Sequence, residues 1–244
     1  MLVLFFVLPG CAPDLTDAAN TKGDPCTVGG GAGALSTCRL PQQDPEYYVE
    51  QGLLYFDTLE TGVDPSIRPE YADWVARWEW PPWLKLTGYG REDMEMADAI
   101  IRLLPTEVPE RDCRAFAVAP FTRCRVNFYY EDYGDQPCPI YEEFTFNDAG
   151  QITFIEAWTD DPAFLPMADL EDSWGEGQTN RLSTRLPGLG NVEGKIDLDS
   201  PWMADAVAAD ADIADFVRRA RDFYATWIEE YSSAGDAFAR GCGF

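Results

Sequence analysis

Histidine is absent from this chain of 244 residues. The gap removes Ser-His-Asp and Cys-His nucleophile systems, His-containing zinc and iron sites, and the usual general base near neutral pH. Acid–base chemistry is left to Asp, Glu, Tyr and Lys. Among the carboxylates, Glu142 has the most demanding surroundings. It lies in the run 140–146, IYEEFTF, whose alternation predicts a strand, and period two puts Glu142, Phe144 and Phe146 on one face. A carboxylate among phenylalanines costs free energy unless it is protonated or paired. Two readings follow. Glu142 is a neutral acid that donates a hydrogen bond in a pocket, or it forms a salt bridge to Arg123 or Arg125 on the preceding strand.

Other motifs exclude more than they propose. The run 29–33, GGGAG, has no following Lys and Ser/Thr, so it is no phosphate-binding loop. Gly188, Gly190 and Gly194-Lys195 miss the same spacing, with Ile196 where a hydroxyl belongs. The acidic runs 197–199 and 210–215 lack the Gly and the closing Glu of a calcium loop. No metal and no cofactor is expected. With 18 Lys+Arg against 43 Asp+Glu the net charge is −25, which excludes a general binder of nucleic acid. Hydrophobic residues make up 46% of the chain, enough for one sizeable core.

The N-terminus reads as an export address. Residues 2–8, LVLFFVL, form an apolar run too short to span a bilayer. Leu8-Pro9-Gly10-Cys11 resembles a bacterial lipobox, in which the cysteine is diacylated and becomes the first mature residue. This implies a signal peptide over 1–10, a lipidated tether over 11–44 rich in Gly, Ala and Thr, and a protein held at a bacterial membrane surface facing the periplasm or the outside. Setting Cys11 aside leaves six cysteines, an even number that suits an oxidising compartment. They allow about 15 pairings. Local spacing favours Cys26–Cys38 and Cys113–Cys124, and a staple for the C-terminus favours Cys138–Cys242.

The elements that must hold Glu142 in place can be read in order. Tyr47, Tyr48, Gln51, Leu54, Tyr55 and Thr58 recur at helical spacing, closed by Gly62. Tyr71, Trp74 and Trp78 suggest a second short helix, which Pro81-Pro82 breaks. A third helix fits 92–104. Strands are expected at 124–130, 140–146 and 151–158, the last two joined by a hairpin turn at 147–150, NDAG. Residues 160–210 read as loop with a strand at 181–186. A final helix over 212–231 carries the stripe Ile213, Phe216, Val217, Ala220, Phe223, Trp227 and Tyr231. Phe154 and Trp158 fall on the sheet face opposite Glu142 and need a cover, either the C-terminal extension or a second copy of the chain.

Helices followed by the text PIYEEFTFNDAGQITFIEAW resemble the nuclear transport factor 2-like superfamily, in its SnoaL-like and ketosteroid-isomerase-like branch. The resemblance covers about residues 45–160 and leaves 161–244 as an extension. It implies an α+β fold, a curved antiparallel sheet wrapped around N-terminal helices as a cone with an apolar pocket. It also implies site residues. The family's oxyanion-hole Tyr falls on Tyr55 and its strand acid on Glu142. Trp78, Trp80, Phe144, Phe146 and Arg125 would line the ligand site. The family's general-base Asp, before a Pro, falls on Trp80 before Pro81, so the base is missing. Glu79 is adjacent but points the other way in an extended chain. The resulting expectation is a lipid-anchored protein whose cone binds a small apolar or aromatic molecule. The alternatives are an isomerase, cyclase or dehydratase acting through Tyr55 and Glu142, and a scaffold whose cone is filled by its own side chains.

Overall fold

The computed structural model describes residues 39–80, 86–103, 106–131, 134, 136–160, 174, 181–234 and 242. The expected signal segment, Cys11 and the cysteines 26 and 38 lie outside the described residues. Chain order is α1 (Pro45–Leu59), β1 (Tyr71–Glu79), α2 (Arg91–Ile101), β2 (Thr106–Ala115), β3 (Phe121–Tyr130), β4 (Pro137–Phe146) and β5 (Ile152–Thr159). There follow a short 3-10 turn (Leu182–Thr184), α3 (Pro201–Ala209), α4 (Ala211–Arg221) and α5 (Phe223–Ala234). This is a mixed α+β fold. The strands form one open sheet in the order β1-β5-β4-β3-β2. β1 runs parallel to β5 and the other pairs are antiparallel.

The β3–β4–β5 meander follows from alternating text and a turn that only a glycine suits. Gly150 has φ 83°, and its amide donates to the Asn147 carbonyl at 3.0 Å. A Cβ at Gly150 would meet the Tyr47 ring at 3.0 Å, so any side chain there would push the turn off α1. Register shifts in β1, β2 and between Thr145 and Phe146 mark bulges, which bend strands. Phe146 pairs with Ile152 and Phe144 with Ile155, so the bulge keeps both isoleucines on the inner face.

Four elements depart from the sequence reading. Tyr71, Trp74 and Trp78 lie on strand β1, not on a helix. From Val75 the text V-A-R-W-E-W alternates inward and outward, and both faces are buried, so the aromatic spacing of three and four carries no helical meaning. Strand β2 was not anticipated, because TEVPERDCRA holds a proline and five charged residues. It is an edge strand, and Pro109 falls in its bulge, where no ladder donor is required. The expected strand at 181–186 is the 3-10 turn. The expected helix 212–231 is two helices broken at Asp222 (φ −139°, ψ 62°), preceded by the unforeseen α3. At that break the apolar stripe changes partners. Ile213, Phe216 and Val217 pack on the outer sheet face with Trp78 and Phe154, whereas Phe223 and Trp227 join the inner core.

The cover over Phe154 is therefore the chain's own extension, and both Phe154 and Trp158 are fully buried. That corrects the expectation of a homodimer through the outer sheet face. The stretch expected as tether is tied to the fold at its residue 39. Arg39 is buried and donates to the Phe146 carbonyl and to Asp148, each at 2.6 Å.

Two of the three favoured disulfides are formed, Cys113–Cys124 across β2 and β3, and Cys138–Cys242 from β4 to the chain end. Disulfides belong to an oxidising compartment. No helix among the described residues is long and apolar enough to cross a membrane.

Candidate functional site

On the inner sheet face, β1 and β4 both present charge to the core, and β5 lies between them. Alternation along β1 sends Arg77 and Glu79 inward, and alternation along β4 sends Glu142 inward with Ile140 and Phe144. Arg77 is the hub. Its Nη1 donates to the Tyr55 hydroxyl from α1. Its Nη2 lies 2.6 Å from Glu79 Oε1 and 3.7 Å from Glu142 Oε1. The other oxygen of Glu79 accepts the Leu86 amide at 3.1 Å.

Glu142 is fully buried, and neither of its oxygens meets a donor in good hydrogen-bond geometry among the described residues, although the Tyr55 hydroxyl is near enough to stabilise its charged form. Burial pushes its pKa from 4.5 to about 7. Arg77 and the neighbouring Tyr55 hydroxyl oppose the rise, while Glu79 and Asp98 add to it. Burial likewise holds the Tyr55 hydroxyl well above its ordinary pKa, against the pull of Arg77, so it stays protonated. Burial works against the charge on Arg77, but attraction to Tyr55, Glu79, Glu142 and Asp98 outweighs it, and the guanidinium stays charged.

Arg77, Glu79 and Glu142 face a cavity of about 20 Å³. Its remaining wall is Leu86, Ile101, Phe128, Tyr130, Cys138, Ile140 and Ala157. That volume holds about one water. Most of the cone is filled by its own aromatic side chains: Tyr55, Phe56 and Phe144 lie edge-on at 5.1 to 6.1 Å between ring centres.

The expected site residues fall in different places. Tyr55 and Glu142 are brought to the same guanidinium, with Tyr55 behind the cavity wall instead of on it. Phe144 packs under α1, and Phe146 sits against Tyr48 with ring centres 4.8 Å apart, so neither lines the cavity. Trp78 and Trp80 face the outer side. The Arg219 guanidinium lies 3.8 Å from the Trp78 ring centre, and Trp80 Nε1 donates to Glu156 at 2.6 Å. Arg125 is half exposed and pairs with Asp160, its Nε 3.0 Å from the carboxylate. The salt-bridge reading of Glu142 is also corrected: Arg123 pairs with Glu143 on the other face.

Sequence reasoning missed Arg77, Glu79 and Asp98. The signal for the first two was present. Once β1 is read as extended, Arg77 and Glu79 share a face, and Trp80 takes the opposite one. Glu79 does point away from Trp80, but toward the cavity. Asp98 lies on α2, buried, with Oδ2 accepting the Tyr71 hydroxyl at 3.0 Å. Burial raises its pKa to about 6, against Arg77. Among the described residues no group of three His, Cys, Asp or Glu is placed to hold a metal ion.

No protein-family model and no curated protein matches the chain. Solved structures similar to part of it include the epoxide hydrolase/cyclase-like enzyme SalBIII of pyran ring formation in salinomycin. That match has 14% identity and a TM-score of 0.39, and covers 48% of this chain and 92% of that one. A SnoaL-like family isomerase from Agrobacterium tumefaciens str. C58 matches at 16% identity and TM-score 0.36, covering 47% and 97%. A de novo designed protein with a curved β-sheet matches at 14% and 0.37, covering 49% and 89%. SnoaL-like proteins are thus among its neighbours, and at these identities no residue role transfers from them.

Proposed function

We propose that this protein is exported, anchored through a lipid on Cys11, and binds a small, mainly apolar molecule through one oxygen placed against Glu142. The observation that carries the reading is the fully buried Glu142 carboxyl, neither oxygen of which meets a donor in good hydrogen-bond geometry, with Tyr55 and Arg77 beside it, on the wall of an otherwise largely apolar cavity. A carboxyl kept only for stability would have its oxygens satisfied, because leaving them unpaired costs about 1–3 kcal/mol. With its pKa near 7, neutral Glu142 donates to a carbonyl or hydroxyl oxygen, and Arg77 beside it favours partial negative charge there. The cavity admits little more than that oxygen. The ligand's apolar body must therefore displace side chains of the cavity wall, among them Ile101, Tyr130 and Ile140.

The test uses acetophenone and phenol as probes, followed by carbon-13 NMR of the Glu142 carboxyl. Saturable binding is expected in the native chain and in Glu142→Gln, which keeps a donor. It is expected to vanish in Glu142→Leu. Equal binding by all three would remove Glu142 from the site. Mass spectrometry of protein from a bacterial membrane fraction is expected to find a diacylglyceryl group on Cys11, and a soluble chain retaining Met1 would end the anchoring reading.

A second reading, an isomerase-type enzyme, is favoured by Glu79. It shares the cavity wall with Glu142, so a base stands beside an acid although the family's base position is Trp80. In this reading Glu79 takes a proton α to a carbonyl, and Glu142 and Arg77 steady the enolate oxygen, with Tyr55 positioning Arg77. Deuterium exchange into the methyl group of acetophenone, lost in Glu79→Gln while binding persists, would support it. Exchange at the uncatalysed rate in the native chain would leave binding alone.

A further inference from the structure

A second concave site, which shares no lining residue with the Glu142 cavity, lies beside α2. It is a cleft of about 350 Å³ bounded by the end of α1, the segment 63–68 and one face of α2. That size is in the range of small-molecule sites. Asp98 contributes to its wall and is 6% exposed. One Asp98 oxygen accepts from Tyr71, whereas Oδ1 meets no donor in good hydrogen-bond geometry among the described residues, with the Thr58 hydroxyl and the Arg77 guanidinium acting on the carboxyl from nearby. Glu95, Asp98 and Arg102 recur at i, i+3 and i+7 and so share the helix face turned to the cleft.

The other groups bear both signs of charge. Arg68 pairs with Glu95 at 2.5 Å, both partners about 40% exposed. Arg102 Nη2 donates to the Val63 carbonyl at 2.5 Å, which fixes the guanidinium at the edge. Pro65 and Ala99 supply an apolar strip between them. A bare cation would pair Asp98 but meet two arginines. A bare anion would suit the arginines but leave Asp98 unpaired beside Glu95. A molecule with both groups satisfies each.

We propose that this cleft is a binding site for a small zwitterion, an amino acid in its simplest form, whose ammonium meets the unpaired oxygen of Asp98, whose carboxylate meets Arg102 and Arg68, and whose apolar side chain lies on Pro65 and Ala99. Its Asp98 carboxyl is ionised above about pH 6, where burial has placed its pKa, so the site is ready at neutral pH. The site is independent of the Glu142 reading.

The test is a matched set of probes on the full chain: L-leucine, the same molecule without its carboxylate (3-methylbutylamine), and without its ammonium (4-methylpentanoate). Calorimetry runs at pH 7.5 and physiological salt, because a chain of net charge −25 gathers any amine loosely at low salt. Leucine is expected to saturate with a dissociation constant below about 1 mM. It is expected to bind at least about tenfold more tightly than either half, one lost charged contact being worth about that much. Amide NMR signals of Thr58, Ala99 and Arg102 should move, and those of Ile140 and Ala157 should not. Asp98→Asn keeps an acceptor for Tyr71 and is expected to weaken leucine and 3-methylbutylamine about tenfold while leaving 4-methylpentanoate unchanged. Arg102→Gln, on a partly exposed side chain, is expected to weaken leucine and 4-methylpentanoate but not the amine. Amine binding as tight as leucine, or no movement of the cleft signals by any probe, would overturn the proposal. Movement confined to Ile140 and Ala157 would overturn it and leave the Glu142 cavity as the ligand site.

Discussion

Glu142 and Glu143 are neighbours on β4, both buried, and the chain treats them in opposite ways. Glu143, on the outer face, lies between Arg123 at 2.8 Å and Arg181, and its second oxygen accepts the Ser183 hydroxyl at 3.1 Å. Next to it Glu156 takes Trp80 Nε1, the Leu182 amide and the Ser183 amide at 2.6 to 2.9 Å. Every oxygen there is used, and the cluster ties the 3-10 turn of the extension to the sheet. Glu142, on the inner face, has an ion pair stretched to 3.7 Å and the Tyr55 hydroxyl beside it, with neither oxygen in good hydrogen-bond geometry. A satisfied buried network specifies structure, whereas a poorly satisfied carboxyl beside a cavity calls for another explanation, which the proposed ligand supplies.

The sharpest way to break that comparison is to alter each face in turn. Arg123→Met leaves Glu143 short of a partner in a buried network, and urea unfolding is expected to lose about 3–5 kcal/mol. Measured at pH 5, where Glu142 is already neutral, Glu142→Gln exchanges one uncharged group for another and is expected to change stability by less than about 1 kcal/mol. Similar losses in both would mean that Glu142 is structural too.

A second large effect concerns the extension that covers the outer face. Cys138 and Cys242 close a loop of sequence separation 104. Replacing both with serine is expected to cost about 2–5 kcal/mol. Hydrogen exchange should show the loss in α4 and α5 before β3 and β4.

The pH dependence sharpens the comparison further. The folded pKa of Glu142 is about 7 against 4.5, and that of Asp98 about 6 against 3.8, so both are raised. Between these limits the folded chain binds more protons than the unfolded chain, so stability falls as pH rises from about 4 to 7 and levels off above. Glu142 accounts for at most about 3 kcal/mol of that fall. Denaturant midpoints measured across this range should decline, and Glu142→Gln should flatten the part between about pH 5 and 7. An unchanged slope in the variant would place the titration elsewhere.

The smallest effect is expected at Arg125. Its pair with Asp160 is half exposed, so Arg125→Ala should shift stability by less than about 1 kcal/mol and leave probe binding unchanged.

Much of this was legible in the residues. The meander from β3 to β5, its turn at Asn147–Gly150, α1, and the opposite facings of Glu142 and Glu143 all follow from period two, period 3.6 and a glycine turn, which are local rules. So does the exclusion of histidine chemistry, which is a matter of composition. Two features had a local signal that was outweighed. The aromatic spacing of β1 masked its alternation, and the charges and proline of β2 hid an edge strand whose hydrogen bonds come from β3. What only the tertiary structure decided is which charges meet. Arg77 reaches Tyr55 across 22 positions and Glu142 across 65, and the parallel seating of β1 on β5 brings them together. The same holds for the extension, whose helix stripe looks alike from end to end but serves two cores on either side of Asp222. Sequence periodicity states which face of an element is apolar. It carries no information on which distant face will cover it, because burial is nondirectional and partner choice is settled by packing of the whole chain.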